Sequence, residues 1–564
     1  MPSKRWIIAP PLTESARAGL RDYPPIVAQL LFNRGLADRT EAEWFFSGQL
    51  SQPDDPLLLT GMGETVERLQ RAIKAGERIV VYGDYDTDGV TATALLVQVL
   101  SVLGADVHRY IPDREDEGYG LNDNALRQLK DDGARLVVTV DCGVRSLAEA
   151  DTARALGLDL IITDHHHPGP ELPGALAVVN PKQPGDEYPE KNLAGVGLAY
   201  KIAQGLIRPM HDKPPINGSD VLDLVALGTV ADLAPLTGEN RKLVRDGLKA
   251  LNKPRREGVK SLLMVSRLKP GAVDATAIGF ALGPRLNAAG RLESALAAYE
   301  LLTTADVFTA NSLAQQLEQQ NRDRQDLTRL THVHARQIAL ETDPDAPLLF
   351  AAHPDFKDGI VGLAAARLTE EFYRPAVVAH KGPEFTKGSA RSIREFHITE
   401  ALDECRHLLE RHGGHAAAAG FTTRVETTDK LAAALRAIAR RKLVGLELRP
   451  ALQLDADAVK LSELHGELMD YLQKFQPCGY GNPTPLFAAR SLKVVNSRAV
   501  GAEASHLKLT LGDGRAVIDG IAFRMGEWQE KMPPRVDVAF HLEVNEWNGE
   551  KRLQMNVRDI KASE

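Results

Sequence analysis

At 564 residues, with 43% hydrophobic and 26% charged side chains, the chain exceeds one hydrophobic core and has room for roughly three to four domains. No apolar run approaches the roughly 18 residues of a membrane helix, the opening MPSKRWIIAPPLTESARAGL lacks a signal-peptide core, and Cys142, Cys405 and Cys478 form no CxxC pair. These features speak for a cytoplasmic protein and against a membrane protein, a disulfide scaffold or a zinc knuckle, while the net charge of −8 argues against nonspecific coating of nucleic acid and still allows a local basic groove.

Residues 1–50 read as two short helices, with LeuLeuPheAsn at 30–33 as the apolar face, packed as an appendage on the next domain. From Arg78 onward short apolar runs alternate with helical patterns: IVVYG, TATALLVQVLSVLG, DVHRYIP, NDNALRQLKDDG, LVVTVDCG, LAEADTARALG and LDLIITDHHHP. Alternating βα units predict a parallel sheet with helices on both faces, in a domain over 51–304. The stretch 305–341 contains no Gly or Pro and reads as one connecting helix of about 50 Å. Its middle, Gln319 to Asp326, is almost wholly polar, which places a domain boundary there. A smaller α/β domain follows over 342–449, opening with PLLFAAH, GLAAARLTEEFY and PAVVAH. Over 450–564 a helical stretch precedes five strand-like runs with GlyAspGly and AsnGly turns, which suits five antiparallel strands in an OB-fold-like barrel, a frequent single-strand-binding module.

Three of the expected parallel strands run into potential metal ligands. IVVYG leads to Asp84, Asp86 and Asp88; LVVTV leads to Asp141; LIIT leads to Asp164, His165, His166 and His167. Ligands of open α/β sheets bind at the carboxyl ends of the strands, so the three clusters converge on one edge, and Asp232 in VALGTVADLAPL is placed to close the site. An Asp after a strand commonly serves only as a helix N-cap. Several carboxylates at one edge, however, repel one another unless cations lie between them. GDYDTDG also matches the start of an EF-hand, but its twelfth position is Leu95, where a bidentate Glu is required. Oxygen and imidazole donors without thiolate suit Mn²⁺ or Mg²⁺, and a carboxylate set large enough for two ions is the apparatus of phosphoester hydrolysis.

These residues resemble the DHH phosphoesterase family, and within it the members that degrade single-stranded DNA. GDYDTDG, DCG, DHH and ADLAPL are similar to its four motifs in family order, GPRLNAAGR (Gly283 to Arg291) to a further motif, and HGGHAAAAG (His412 to Gly420) to the signature of the associated DHHA1 domain. The resemblance implies a metal-dependent exodeoxyribonuclease that releases 5′-mononucleotides in the 5′ to 3′ direction in DNA repair and recombination. It implies single-stranded DNA as partner, together with a single-strand-binding protein and a helicase. It assigns Asp84, Asp86 and Asp141 to one ion and Asp88, Asp141, His165 and Asp232 to the other, with Asp141 bridging. His166 then faces the scissile phosphate as a donor beside Asp141 in the catalytic pair, and His167 receives no role.

Substrate binding is expected from Arg109, Arg285, Asn287, Arg291, Ser389, Arg391, Gly413, Gly414 and His415. GPRLNAAGR, rich in Gly, Ala and Asn, reads as a loop that approaches a phosphate backbone, and the Gly413–Gly414 pair as a turn exposing N–H groups at a helix start. Ser389 and Arg391 in KGSARSIREF resemble the serine and arginine that hold the nucleotide phosphate, a task suited to a planar guanidinium. The chain departs from many relatives in carrying Phe356 and Lys357 where they have a Trp-His pair, so that base stacking there would fall to Phe356. Two alternatives stand beside the nuclease: a DHH phosphodiesterase for short oligonucleotides or cyclic dinucleotides, and an inactive DHH scaffold.

Overall fold

The computed structural model describes residues 4–113, 117–118, 120–210, 214–292, 294–547 and 550–563. The chain divides into two compact units, one of Trp6–Asn287, Ala295–Ala314 and Leu452–Glu564, the other of Met1–Arg5, Ala288–Ser294 and Gln315–Ala451.

In the first unit the N-terminal segment holds a strand and three helices, where two helices were expected. Strand β1 (Arg5–Ile8) is followed by helices Glu14–Gly19, Pro25–Phe32 and Arg39–Ser47. Thr13 caps the first by accepting from Ala16 N–H, and Asp38 caps the third by accepting from Glu41 N–H, which is the signal that separates it from the second. The parallel sheet then forms from β2 (Arg78–Gly83), β3 (Asp106–Tyr110), β4 (Leu136–Val140), β5 (Asp159–Thr163) and β6 (Ala177–Val179), in the order β3-β2-β4-β5-β6. Strand side chains alternate faces. Val80, Tyr82, Val137, Leu160 and Ile162 pack on Ala125, Leu126, Leu129, Ala150 and Ala153 from helices Asp123–Asp131 and Leu147–Ala155. Helices Thr87–Val102 and Gly195–Ile207 lie on the sheet as well; both are apolar nearly all round and buried along most of their length.

In the second unit β7 (Leu349–His353), β8 (Ala376–Lys381), β9 (Phe385–Arg391), β10 (Arg411–His415) and β11 (Ala418–Arg424) form a mixed sheet, β10-β11-β9-β8-β7, with helices Asp358–Phe372 and Thr428–Leu443. Phe356 packs in the core of this unit with Ala335, Leu349 and Leu368, and only 3% of it is exposed. Base stacking on Phe356 is therefore corrected: its ring faces stay inside, beside His334 and His353 at 5.3 and 5.5 Å between centroids. The long helix runs from Val307 to Thr342.

Back in the first unit, β12 (Ala451–Leu454) pairs with β1, and β13 (Phe487–Val500), β14 (His506–Gly512), β15 (Val517–Ala522), β16 (Arg535–Trp547) and β17 (Glu550–Ala562) close a barrel in the order β13-β14-β15-β17-β16. The expected all-antiparallel pairing fails at one place, where β15 and β17 run parallel with Asp519 opposite Gln554. The reason is topological: an odd number of strands around a closed ring cannot alternate direction throughout. The expected Asn548–Gly549 turn lies outside the described residues.

The N-terminal helices make their main apolar contact with this barrel. Leu20, Val27, Leu30 and Leu31 share one core with Phe475, Phe487, Leu509 and Phe540. The expected packing on the next domain is thus corrected; the sheet there is already covered by its own helices, and the segment finds open apolar surface at the barrel. The next domain adds a polar clamp, as the buried Arg241 lies over the Phe45 ring and donates to Phe45 O (2.6 Å), Lys474 O (2.8 Å) and Gln476 O (3.0 Å).

Candidate metal centre and phosphate site

The carboxyl edge of the parallel sheet gathers the expected ligands. Asp84 follows β2 directly, and Asp86 caps helix Thr87–Val102, accepting from Asp88 N–H (2.9 Å) and Gly89 N–H (3.1 Å). Capping therefore does not remove Asp86 from the carboxylate cluster, since it also lies in one group with Asp84 and Asp141. Asp141 follows β4 with a left-handed backbone, φ +65°, a conformation that costs a non-glycine residue of order 1–3 kcal/mol and persists where the surroundings impose it. His165 and His166 follow β5, and Asp232 closes helix Leu222–Ala231.

Within each of three groups the ligand atoms lie within 4.8 Å of one another: Asp84, Asp86 and Asp141; Asp88, His165 and Asp232; and Asp141, His165 and His166. His165 Nε2 is 3.0 Å from Asp141 Oδ1 and 3.8 Å from both Asp88 Oδ2 and Asp232 Oδ2. The electrostatics follow from crowding in a dry site. Burial, and then the neighbouring Asp86, push the Asp88 carboxyl up to about 7; burial with Asp88 and Asp86 pushes Asp232 up to about 9. Burial and then Asp88, Asp86, Asp84 and Asp232 hold Asp141 well above the carboxylate range. Burial and the neighbouring His166 push His165 down to about 3, leaving a neutral imidazole suited to ligation. Five mutually repelling acids around a neutral imidazole fit divalent cations, whose charge relieves the repulsion.

Asp164, buried beside this set, is a scaffold for His166. Its carboxylate accepts from His166 N–H (3.0 Å) and Val144 N–H (2.9 Å) and lies 2.7 Å from His166 Nδ1. Burial works against protonation of His166, but Asp164 outweighs it and the imidazole is raised above its ordinary value. Asn180 and Lys182 complete the frame by donating to His166 O (2.9 Å) and His165 O (2.6 Å).

Sequence reasoning missed the helix Gly195–Ile207. Its first two N–H groups, Gly195 and Val196, donate to Asp88 at 2.6 and 2.8 Å, so a helix N-terminus offsets part of the burial of that charge. Gly195 is required because a Cβ there would lie 2.6 Å from Asp141 Cβ; at Gly228 a Cβ would lie 2.8 Å from Asp88 Oδ1. The two glycines of AlaGlyValGly at a helix start are the signal that points to such a close approach.

The remaining expected residues fall into two settings. Arg109 sits on β3 with its guanidinium 5.0 Å over the Tyr299 ring and 3.3 Å from Glu300. GPRLNAAGR is a helix, Gly283–Leu292, and the loop reading is corrected. Leu286, Ala288 and Ala289 are buried good helix formers on one side of it. Asn287 accepts from Thr87 N–H (2.7 Å), which braces the turn between Asp86 and Asp88. Arg285 donates to Ala281 O (2.8 Å), and Arg291 to Gly359 O (3.2 Å).

In the second unit HGGHAAAAG is a β-hairpin, and the helix-start reading is corrected; Gly413 pairs with Gly420 and His415 with Ala418 across β10 and β11. Local small-residue composition was outweighed by this cross-strand ladder. Its register aligns the motifs: Ser389 lies opposite Gly420, itself opposite Gly413, and Arg391 lies opposite Ala418, itself opposite His415. The two rows are two residues apart and share a sheet face. Arg391 donates to Ser389 Oγ (2.9 Å) and Ala390 O (2.9 Å), is lowered by burial, and pairs with no carboxylate among the described residues, which leaves its charge for an anion.

A parallel sheet with this ligand edge defines a metal-dependent phosphoesterase of the DHH class, and the DHH family, N-terminal domain, is matched over residues 78–229, with the DHHA1 domain over 345–441 and the RecJ OB domain over 455–559. The single-stranded-DNA-specific exonuclease RecJ of Bacillus subtilis is 38% identical over 99% of this chain and 71% of its own length. RecJ from Thermus thermophilus, solved in complex with Mn²⁺, has a TM-score of 0.85 at 31% identity, covering 99% of this chain and 80% of that one. The same protein in complex with Mg²⁺ has a TM-score of 0.79 at 30% identity, over 99% and 79%. The chain belongs to the RecJ family.

Proposed function

We propose that the chain is a single-stranded-DNA-specific exonuclease that works 5′ to 3′, releases 5′-mononucleotides and acts in DNA repair and recombination in the cytoplasm. The observation that carries the reading is the place of Asp141, buried at the sheet edge and common to two ligand groups. Asp84, Asp86 and Asp141 would hold one Mn²⁺ or Mg²⁺, and Asp88, Asp141, His165 and Asp232 a second. When bound, such ions neutralise phosphate charge and acidify the attacking water.

The chain's own residues do the rest. Asp164 fixes the His166 ring, so that its Nε2–H can donate to a phosphate oxygen as negative charge grows there. Arg391 and Ser389, with the backbone of Gly413 and Gly414 and the His415 side chain, supply an anion site for a nucleotide phosphate. Arg109, Arg285 and Arg291 add backbone contacts, and Asn287 acts by bracing the metal-side turn. The barrel suits capture of the strand, with a single-strand-binding protein and a helicase as partners that supply it. No helix of the described residues is long and apolar enough to cross a membrane.

Incubating 5′-labelled and 3′-labelled single strands, and a blunt duplex, with and without Mn²⁺ tests the reading. Labelled mononucleotide should appear at once from the 5′ label, late from the 3′ label, and not from duplex or without metal. Early release of the 3′ label, or equal digestion of duplex, would overturn it.

A further inference from the structure

Four residues beyond Asp232 the chain meets a turn that leads into the barrel. Leu236 N–H donates to Tyr480 O at 2.7 Å. Tyr480 occupies the second position of the turn Gly479–Asn482, closed by Asn482 N–H donating to Gly479 O (3.2 Å) and Gly479 N–H donating to Asn482 O (2.8 Å). Gly481, third in the turn, has φ +76°, the conformation a type II turn requires there, and a Cβ on it would lie 2.9 Å from Pro235 Cβ.

The turn is fixed from two further sides. Asn482 is buried, its amide donating to Phe475 O (2.9 Å) and Pro477 O (2.8 Å) while its Oδ1 accepts from Arg34 Nε (2.8 Å). Arg34 also donates to Pro483 O (2.6 Å) and stacks over Phe475 at 4.7 Å. The backbone is thus held by the segment after Asp232, by Arg34 just past the helix Pro25–Phe32 and by Phe475 at the end of the helix Gly466–Lys474. The Tyr480 side chain is left outside this frame, 67% exposed and without a hydrogen-bond or ring partner among the described residues.

An aromatic side chain presented by an immobile turn loses little freedom when it binds, which is the condition for an efficient stacking platform. Its place along the chain is equally specific. From Asp232 to Leu236 an extended backbone reaches at most about 14 Å, and the intervening Leu233, φ +61°, is also exposed. On the other side, β13 opens at Phe487. The turn that carries the ring is therefore pinned to a backbone point within about 14 Å of Asp232, and the chain runs on from it into the first strand of the barrel.

We propose that Tyr480 stacks on a base of the substrate strand between the metal centre and the barrel. The proposal rests on the single-strand nuclease reading given above. Stacking on a ring is tolerant of base identity, and a base inside a duplex, already stacked on both faces, cannot offer itself. Tyr480 would then be a positioning residue that favours single strands without touching the reacting atoms.

Tyr480→Ala and Tyr480→Phe, assayed with Mn²⁺ on a long oligonucleotide and on a dinucleotide too short to span to the ring, test this. The expected result is a KM raised about tenfold or more for Tyr480→Ala on the long strand, with kcat little changed, no effect on the dinucleotide, and full retention by Tyr480→Phe. Wild-type KM for Tyr480→Ala, equal losses on the dinucleotide, or a Phe variant as impaired as Ala would each overturn it. Strands carrying 2-aminopurine at single positions, bound in chelator, separate this inference from the nuclease reading. Quenching lost in Tyr480→Ala and kept in Tyr480→Phe supports stacking even if the unaltered protein releases no nucleotide, whereas normal release with unchanged quenching in both variants removes the stacking alone.

Discussion

The metal centre and the core beneath the barrel are both buried, and they are built on opposite terms. At the sheet edge Asp88, Asp141 and Asp232 are packed among like charges, each raised by burial and by its neighbours, and Asp141 adopts a strained backbone. In the other core Leu30, Leu31, Phe475, Phe487 and Phe540 are fully buried, and the charges that border them have partners of opposite polarity: Arg34 donates to carbonyls, lies over a ring face and pairs with Asp455, and Arg241 donates to carbonyls and lies over a ring face. The first region spends stability that the second supplies. Changes at the edge should therefore remove chemistry and leave the fold, and changes in the barrel core should do the reverse.

Chelation probes the largest effect. Activity should fall to background while far-UV circular dichroism stays native, because the apolar strands and helices fold without cations; loss of ellipticity on chelation would break the contrast. Next, Asp141→Ala should lower kcat by roughly 10³-fold or more, several kcal/mol of transition-state stabilisation. In chelator its melting temperature should not fall below that of the wild type, since a repelled, strained carboxylate is gone; calorimetry beside single-turnover kinetics reads both.

Phe475→Ala reverses the pattern. Its ring packs edge-on with Phe46 at 5.3 Å and tilted on Phe45 at 5.5 Å, and deletion should cost about 3–5 kcal/mol in denaturant unfolding with specific activity of the folded fraction near normal. The same core bears on removing everything after residue 449. Such a chain would expose Leu30, Leu31 and Phe45, so poor solubility is expected before any change in DNA affinity can be read. The smallest effect is expected for Gly195→Ala, where the new methyl would lie 2.6 Å from Asp141 Cβ and must push that residue aside by roughly 1 Å. Activity should drop by about tenfold to a hundredfold, as for a small misplacement in an active site, with little change in unfolding free energy.

The contrast also explains what could be read from the sequence. Asp84, Asp141 and His165 each follow an apolar run that forms a parallel strand, and strand polarity alone brings them to one edge, so a local pattern carried a tertiary result. The supports of that edge are not local. Gly195 and Val196 reach Asp88 from more than a hundred residues away, and Asn180 and Lys182 hold carbonyls with no motif to mark them. Gly413 and Gly414 were recognisable as part of a motif, but their conformation depends on pairing with Gly420 and Ala419, which composition does not encode. GPRLNAAGR was misread for the opposite reason: its glycines suggested a loop, whereas its leucine and alanines are buried against the fold. The union of the N-terminal helices with the barrel joins the two ends of the chain, and periodicity says only that each has an apolar face.

The most direct test of the centre is a count of ions. Calorimetric titration of the metal-free protein with Mn²⁺ should give two ions per chain, and the same titration of Asp141→Ala should give at most one, because the carboxylate proposed to bridge the two ions is missing; it belongs to the group with Asp84 and Asp86 and its Oδ1 lies 3.0 Å from His165 Nε2 of the other set. A single ion in the wild type, or two ions bound unchanged by Asp141→Ala, would contradict a centre bridged by Asp141.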